Sequence, residues 1–457
     1  MATQTTIRQY NSDIPEFRKT RILPIQSLNC PGQDSIELQK QWEAEKQRGS
    51  PEAQALLEAA ESLRISEIPV AFPTETVYGL GADATRSAAV RGIYKAKKRP
   101  SDNPLIVHVS SREQLERLLR SSQTSTVNEN IRCTPSLIPP IYEPLIERYW
   151  PGPLTILIPN PKHSPLAPEV TANLATFGVR IPSSPLARLL IHITDRPLAA
   201  PSANASSKPS PTTAQHVYTD LQGRIDIILD GGPCGVGVES TVVDGLSQPP
   251  AILRPGGVGI EEIRACPGWE NVCIGYKDGA LQANSAPRAP GMKYKHYSPK
   301  AKVILFEATK DMSSARRHAL RELQSSTLPK LGIIRTKLWQ RGLGIPVLRP
   351  LSTPNCTNDL GEINQKHMSN PCISLLPIER LLVSSLNSST PPAEMFDISI
   401  GTDTRSIARS LFSALRKLDE NNVSTIYVEG IPDTEGDIAA AIMNRLRKAA
   451  EDRVHTV

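Results

Sequence analysis

The chain has 457 residues, 39% of them hydrophobic but only 4% aromatic, with 41 prolines and a formal net charge of +6. That length exceeds one ordinary domain and suits two, and the modest positive charge fits phosphate-rich ligands without marking a nucleic-acid-binding protein. Cysteines at 30, 133, 234, 266, 273, 356 and 372 form no C-x-x-C and do not cluster with the histidines; this argues against a disulfide framework or structural zinc and leaves reduced thiols as the expectation, and no run approaches the roughly 18 apolar residues of a membrane span.

In chain order, residues 1–48 read as an extended, partly ordered arm. Its Arg8, Arg18, Lys19 and Arg21 are offset by Asp13 and Glu16. A presequence is thus weakly supported, and a cytoplasmic location is expected with a mitochondrial fraction left open. Ser50-Pro51-Glu52 supplies an N-cap hydroxyl, a proline at the first helical position and an acid in the first turn, which predicts a helix to about Ser62. Ile68, Val70 and Phe72 alternate as in a strand, and Pro73 stops the ladder. Thr74, Glu75 and Thr76 follow at that strand end, where hydroxyls and backbone N–H groups can face a ligand. Gly79 and Gly81 permit close backbone approach or positive φ. A short helix ends in Lys95, Lys97, Lys98 and Arg99, Pro100 terminates it, and a strand runs from Leu105 to Val109. Two strand ends and a basic helix terminus in one loop region suggest an anion pocket. A βαβ unit with turn glycines and solvent-facing lysines accounts for the same residues.

Ser110-Ser111-Arg112-Glu113 is a capping box for a helix through Arg120. Residues 121–141, polar and proline-broken, predict an inserted surface loop. Leu154–Ile158, Val179–Ile181 and Ile225–Leu229 are strand-like, and Pro185–Ile193 and Thr213–Leu221 read as short helices. This alternation predicts one α/β domain over 49–265. Residues 266–300 read as a Gly/Pro-rich linker. Beyond it, Lys302–Phe306, Leu331–Ile334, Ile398–Ile400 and Thr425–Glu429 predict strands, and 311–325, 404–420 and 434–451 predict helices. These form a second, smaller α/β domain over 301–457 with a Ser/Pro/Asn-rich loop insertion at 350–394. In its last helix Ile438, Ala441, Ile442 and Leu446 share a face, with Arg445, Arg447 and Lys448 near the end. No G-x-G-x-x-G follows a strand and no G-x-x-x-x-G-K-[ST] occurs, so neither a dinucleotide nor P-loop ATP is assigned.

PTETVYGLGADA (73–84) and IYKAKKRPSDNPLIVHV (93–109) lead a series of motifs: WPGPLT (150–155), FGVRIP (177–182), APSAN (200–204), KPSP (208–211), GVESTVVD (237–244) and ILRPG (252–256). In this order they resemble the YrdC-like threonylcarbamoyl-AMP synthases, and PGMKYKHYSP (290–299) resembles the linker of that family's long, two-domain form. The resemblance implies a YrdC-like twisted-sheet α/β domain with a concave basic cavity, plus a smaller Rossmann-like α/β C-terminal domain. It implies a nucleotidyltransferase. The amine of L-threonine takes up carbon dioxide from bicarbonate, the resulting carbamate attacks the α-phosphate of ATP, and pyrophosphate leaves. Mg²⁺ would accompany the ATP, with no metal site on the protein itself. The product would feed a downstream threonylcarbamoyl transferase complex that modifies tRNA next to the anticodon.

By the same resemblance, Thr74, His108, Arg180 and Ser240 would hold threonine. Lys97 and Arg99 would be the catalytic cations on the phosphates, with Asn103 beside them. Thr176, Ala200 through its backbone, Ser202, Asn204, Ser210 and Arg254 would complete the ATP site. Tyr297 would fold over it on a lid hinged at Gly291. Taken singly, these residues also allow a strand-end ion pair for Arg180, a core histidine for His108, a solvated charge run for 95–99, and turn chemistry for 202–211. Asp83 and Glu75 are nearby acids, and neither is assigned as a general base. Ser184-Pro185 stands where the family often has His-Pro. The alternative function is a non-catalytic module binding double-stranded RNA or tRNA in the same cavity. A hydrogenase-maturation enzyme sharing the domain is set aside for want of C-x-x-C zinc fingers.

Overall fold

The computed structural model describes residues 18–29, 35–120, 136–276, 296–307, 312–324, 329–351, 376–383, 392–436 and 438–455. Residues 1–17, 121–135, 277–295 (with Gly291), 352–375 and 384–391, which carry parts of the expected arm, loop, linker and insertion, lie outside them.

The first part of the chain forms one 11-stranded mixed sheet. Its strands are β1 (Arg21–Pro24), β2 (Val70–Pro73), β3 (Tyr78–Asp83), β4 (Val107–His108), β5 (Leu154–Pro159), β6 (Thr176–Arg180), β7 (Leu198–Ala199), β8 (Ile227–Asp230), β9 (Thr241–Asp244), β10 (Ala251–Arg254) and β11 (Cys273–Ile274). Their order is β1-β8-β2-β3-β7-β4-β6-β5-β9-β10-β11. Residues 78–83, to which the sequence assigns no element of their own, are a strand that pairs antiparallel with β2, Val70 opposite Gly81 and Pro73 opposite Tyr78. Neither Gly79 nor Gly81 has positive φ. Gly81 serves close approach instead, since a Cβ there would stand 2.6 Å from the Phe72 ring.

The alternation of strand residues sets the faces. Tyr78, Leu80, Val107, Ile156, Val179 and Val243 pack into the main core on one face. On the other, Phe72, Leu198 and Ala200 pack beneath the helices Ser35–Arg48, Pro51–Ile65 and Pro185–Thr194. Further along that second face, Ile106, Leu157, Val242, Ala251 and Leu253 form a small separate cluster. His108 and Arg180 lie between these two apolar patches.

Two expected boundaries shift. The 1–48 arm contains β1, parallel to β8, and a helix whose Leu38 and Trp42 are buried with Ile25 and Leu28. A four-residue strand and a weakly amphipathic helix leave little periodic signal in sequence. The first core also runs past residue 265: Trp269 is 0% exposed, sits 5.9 Å from the Tyr142 ring, and is followed by β11. The core of the first domain therefore reaches Tyr276, inside the stretch expected as linker.

The second part has a 7-stranded sheet of β12 (Lys302–Phe306), β13 (Lys330–Arg335), β14 (Val347–Leu351), β15 (Glu379–Val383), β16 (Ala393–Ser399), β17 (Thr425–Glu429) and β18 (Asp452–Val454), ordered β14-β15-β16-β13-β17-β12-β18. The strands β16, β13, β17, β12 and β18 run parallel and are covered on both faces, one by the helices Thr404–Glu420 and Ala439–Ala449, the other by Ser313–Leu323. β15 lies inside the stretch expected as a 350–394 loop insertion, antiparallel to β14 and β16. The surrounding Ser/Pro/Asn composition masked so short an apolar run. Among the described residues, no helix is long and apolar enough to cross a membrane.

The two sheets share packing. Val77 and Val238 of the first join the core of the second, with Tyr297 between them and Phe412. Arg416 pairs with the fully buried Asp220 carboxylate at 2.8 Å, Arg445 pairs with Glu239 at 2.9 Å, and the Thr212 and Ser413 hydroxyls meet at 3.0 Å.

Candidate active site

The cleft opens on the sheet face left between the two apolar patches. β4 and β6 run parallel with His108 beside Arg180, so both side chains project from one face. Arg180 Nε donates to His108 Nε2 at 2.9 Å. A guanidinium has no acceptor, so that ring nitrogen is the acceptor and the imidazole is neutral, its Nδ1–H 3.1 Å from the Ile106 carbonyl. Burial, and then the Arg180 charge, hold His108 well below its ordinary pKa. Arg180 Nη1 donates to Glu75 Oε1 at 2.8 Å, and Nη2 donates to the hydroxyls of Thr74 and Thr76 at 3.2 and 3.0 Å. Glu75 Oε2 accepts the Ser183 N–H at 3.2 Å. Arg180 is only 4% exposed, so its environment is the cleft and not a surface ion pair.

The cationic run divides. Lys95 and Lys98 are exposed. Lys98 takes φ 53° as the cap of the helix Ser87–Lys97, which lets the Arg99 N–H reach the Tyr94 carbonyl at 3.0 Å. Lys97, 2% exposed, turns inward, and its Nζ donates to the carbonyls of Ser202 and Asn204. Burial and the neighbouring Arg99 push its ammonium well below the usual lysine range. Lys97 thus ties the helix end to the 202–204 turn while bordering the cleft. Arg99, half-buried, borders it too, with Nη2 3.5 Å from the Pro104 carbonyl.

The opposite wall is Glu239-Ser240. Arg254, on β10, donates through Nε and Nη2 to the Ser240 carbonyl at 3.1 and 2.9 Å and through Nη2 to its hydroxyl at 3.0 Å. Burial, then Arg445, bring Arg254 down to about 10. Burial opposes ionisation of Glu239, and the Arg445 and Arg254 charges overcome it, holding that carboxyl down to about 2. The wall is seated on Gly256, where a Cβ would lie 2.2 Å from the Thr241 nitrogen and 2.3 Å from the Ser240 carbonyl carbon. Gly256→Ala is expected to push this wall into the cleft and destabilise the fold by about 1–3 kcal/mol. Thermal unfolding of the variant checks this, and a parental melting temperature would show that the wall yields.

Of the expected site residues, Thr74, Lys97, Arg99, His108, Arg180, Ala200, Ser202, Asn204, Ser240, Arg254 and Tyr297 all line this one cleft. The structure does not bring the other three to its lining. Ser210, fully buried, stands behind the wall and donates to Glu239 Oε1 at 2.6 Å. Asn103 is 1% exposed, with its carbonyl accepting from the Tyr94 hydroxyl at 3.0 Å. Thr176 shares the cleft face of β6 but is four residues from Arg180, about 13 Å along the strand. Sequence reasoning gave no role to Glu75 or Glu239. Both sit inside the quoted motifs, but only the folded geometry shows their arginine partners. Asp83 lies away from the cleft, accepting from Thr85 and pairing with Arg196 at 3.6 Å. Ser184, the departure from His-Pro, caps the helix Pro185–Thr194 by accepting the Ala187 N–H at 3.3 Å.

The cleft sets five basic side chains, Lys97, Arg99, Arg180, Lys208 and Arg254, with two imidazoles and several hydroxyls around one space. Such a set suits anionic reactants held by position and charge.

The family described as "Telomere recombination" matches residues 65–256, and the one described as "Threonylcarbamoyl-AMP synthase, C-terminal domain" matches 258–451. The threonylcarbamoyl-AMP synthase of Schizosaccharomyces pombe is 44% identical over 87% of this chain and 88% of its own length. That of Bacillus subtilis is 39% identical over 87% and 94%. Among solved structures, P. abyssi Sua5 complexed with L-threonine has 34% identity and a TM-score of 0.64, covering 88% of this chain and 96% of that one. A variant of the same protein has a TM-score of 0.66 at 33% identity, covering 96% and 99%.

Proposed function

This chain belongs to the threonylcarbamoyl-AMP synthase family, an enzyme family whose two-domain layout it shares, and on that premise we propose that its cleft joins L-threonine, bicarbonate and ATP into threonylcarbamoyl-AMP and pyrophosphate. The observation that carries this is the convergence of Arg180, His108, Thr74 and Ser240 with Lys97, Arg99 and Arg254 in one buried, cation-lined cleft. The reaction is a nucleotidyl transfer. Bicarbonate gives up its hydroxyl as carbon dioxide forms, the threonine amine adds to that carbon and loses a proton, so that water leaves; a carbamate oxygen then forms a bond to the α-phosphorus, and the bond to pyrophosphate breaks.

Arg180 supplies the planar fork that suits a carboxylate, so the threonine carboxylate would share or replace the Glu75 carboxylate there. Neutral His108 would steer it without adding charge. Lys97, Arg99 and Arg254 would offset charge on the triphosphate and on the leaving pyrophosphate. Magnesium would arrive as part of the nucleotide, with phosphate oxygens and water as its main ligands. A downstream transferase acting on tRNA would consume the product. The RNA-binding alternative is less well supported, because Lys97, Arg180 and Arg254 are buried and donate to partners within the protein rather than lining an open surface.

The test is threonine-dependent pyrophosphate release by the purified protein given bicarbonate and MgATP. RNA binding without turnover would favour the alternative. Arg99→Ala is expected to weaken ATP binding about tenfold, with threonine binding less affected. Lys97→Ala should lower both turnover and ATP binding, because the 202–204 turn loses its tether. Parental values for both variants would remove the cations from the mechanism.

A further inference from the structure

The mechanism above uses no residue of the second domain, yet one reaches the cleft wall. Arg445, on the helix Ala439–Ala449, is 1% exposed and crosses the domain boundary. Its Nε donates to Glu239 Oε2 at 2.9 Å and its Nη1 donates to the Pro255 carbonyl. Its guanidinium carbon lies 5.8 Å from the centre of the Tyr297 ring, which stacks on Phe412 at 5.2 Å. Glu239 and Tyr297 both line the cleft, while Arg445 itself stands behind them. Among the described residues, Arg445 Nη2 has no hydrogen-bond partner.

We propose that Arg445 is a positioning residue of the active site: it fixes the Glu239 carboxylate and the Tyr297 ring, so that docking of the second domain sets the wall that receives the nucleotide. The inference rests on the synthase reading. A single planar guanidinium serves a carboxylate, a carbonyl and an aromatic ring at once, which an ammonium does not reproduce. Removing it leaves Glu239 buried with the Arg254 charge of β10 still acting on it, Ser210 as its hydroxyl donor, and Tyr297, His296, Lys97 and Lys448 as the other titratable groups around it. Burial then acts against the charged form with less opposition. The carboxyl therefore rises from about 2, and the acid limb of any activity that needs it ionised moves to higher pH.

The experiment uses the full chain and compares Arg445→Gln, Arg445→Lys, Glu239→Gln and the double variant Arg445→Gln/Glu239→Gln. It measures kcat and the KM for ATP in threonine-dependent pyrophosphate release, the pH profile, and the melting temperature. Arg445→Gln should raise the ATP KM about tenfold or more and shift the acid limb upward. Arg445→Lys should restore the limb but not the KM. Glu239→Gln should raise the KM and abolish the limb that reports this carboxyl, and the double variant should be no worse than the poorer single one. If Arg445→Gln does not fold, Glu239→Gln decides alone. A folded Arg445→Gln or Glu239→Gln with parental KM and pH profile overturns the inference, as do losses that multiply in the double variant. A parent protein that releases no pyrophosphate refutes the synthase reading itself, whereas an active parent with unaffected variants refutes only the role of Arg445.

Discussion

Replacing Arg180 by alanine is expected to abolish threonine-dependent turnover while leaving much of the ATP affinity. Two effects add. The substrate loses a charge-assisted, two-pronged contact to its carboxylate, worth on the order of 1.5–3 kcal/mol or more when buried. The protein also loses the group that organises the site, since Arg180 holds His108, Thr74, Thr76 and Glu75 together. With it gone, the Glu75 carboxylate stays mostly buried and without its cation, and breaking a buried pair costs about 3–5 kcal/mol. Arg180→Ala should therefore melt at a lower temperature as well as fail with threonine. Arg180→Lys separates the effects: it keeps one charge near Glu75 but cannot reproduce the fork, so stability should recover more than threonine use does. Equilibrium binding of threonine and of ATP, alongside thermal unfolding, measures both. Parental threonine affinity in Arg180→Ala would refute the assignment.

Truncation should show where the first domain ends. A chain stopped at residue 265 loses Trp269, a fully buried side chain packed near Tyr142 whose indole N–H donates to the Ile141 carbonyl at 2.8 Å. Emptying such a site costs about 3–5 kcal/mol, so this fragment is expected to be unstable. A chain stopped at 276 keeps Trp269 and β11 and should fold, because the remaining core draws its residues from before that point. Its turnover should nevertheless fall by orders of magnitude. Val77 and Val238 would be exposed, Asp220 and Glu239 would lose Arg416 and Arg445, and Tyr297 would be absent from the cleft. Calorimetry and pyrophosphate release on both fragments decide this. Equal stability of the two would make Trp269 peripheral, and full activity of the longer one would make the second domain dispensable.

Much of this architecture is legible before folding is considered. The N-cap at Ser50 and the helix Thr404–Glu420 follow from local signals, since capping and 3.6-residue periodicity act over a few neighbours. The motifs that mark the family are contiguous in the chain and need no geometry to be read. Three of the fourteen expected site residues, Asn103, Thr176 and Ser210, nonetheless do not reach the cleft lining, because a motif names a residue type at a position and not the direction of its side chain.

By itself, then, the amino-acid sequence determined the two α/β units, the family and the stretches that surround the cleft. Only the tertiary structure decided what each charge in those stretches does. Lys97 and Lys98 are adjacent in sequence, yet one is buried against the Ser202 and Asn204 carbonyls and the other faces solvent. Glu75 meets Arg180 and Glu239 meets Arg445 across 105 and 206 residues of chain. The reason is physical: local propensity is set by near neighbours, whereas the energy of a charge depends on burial and on partners that the fold brings within a few ångströms.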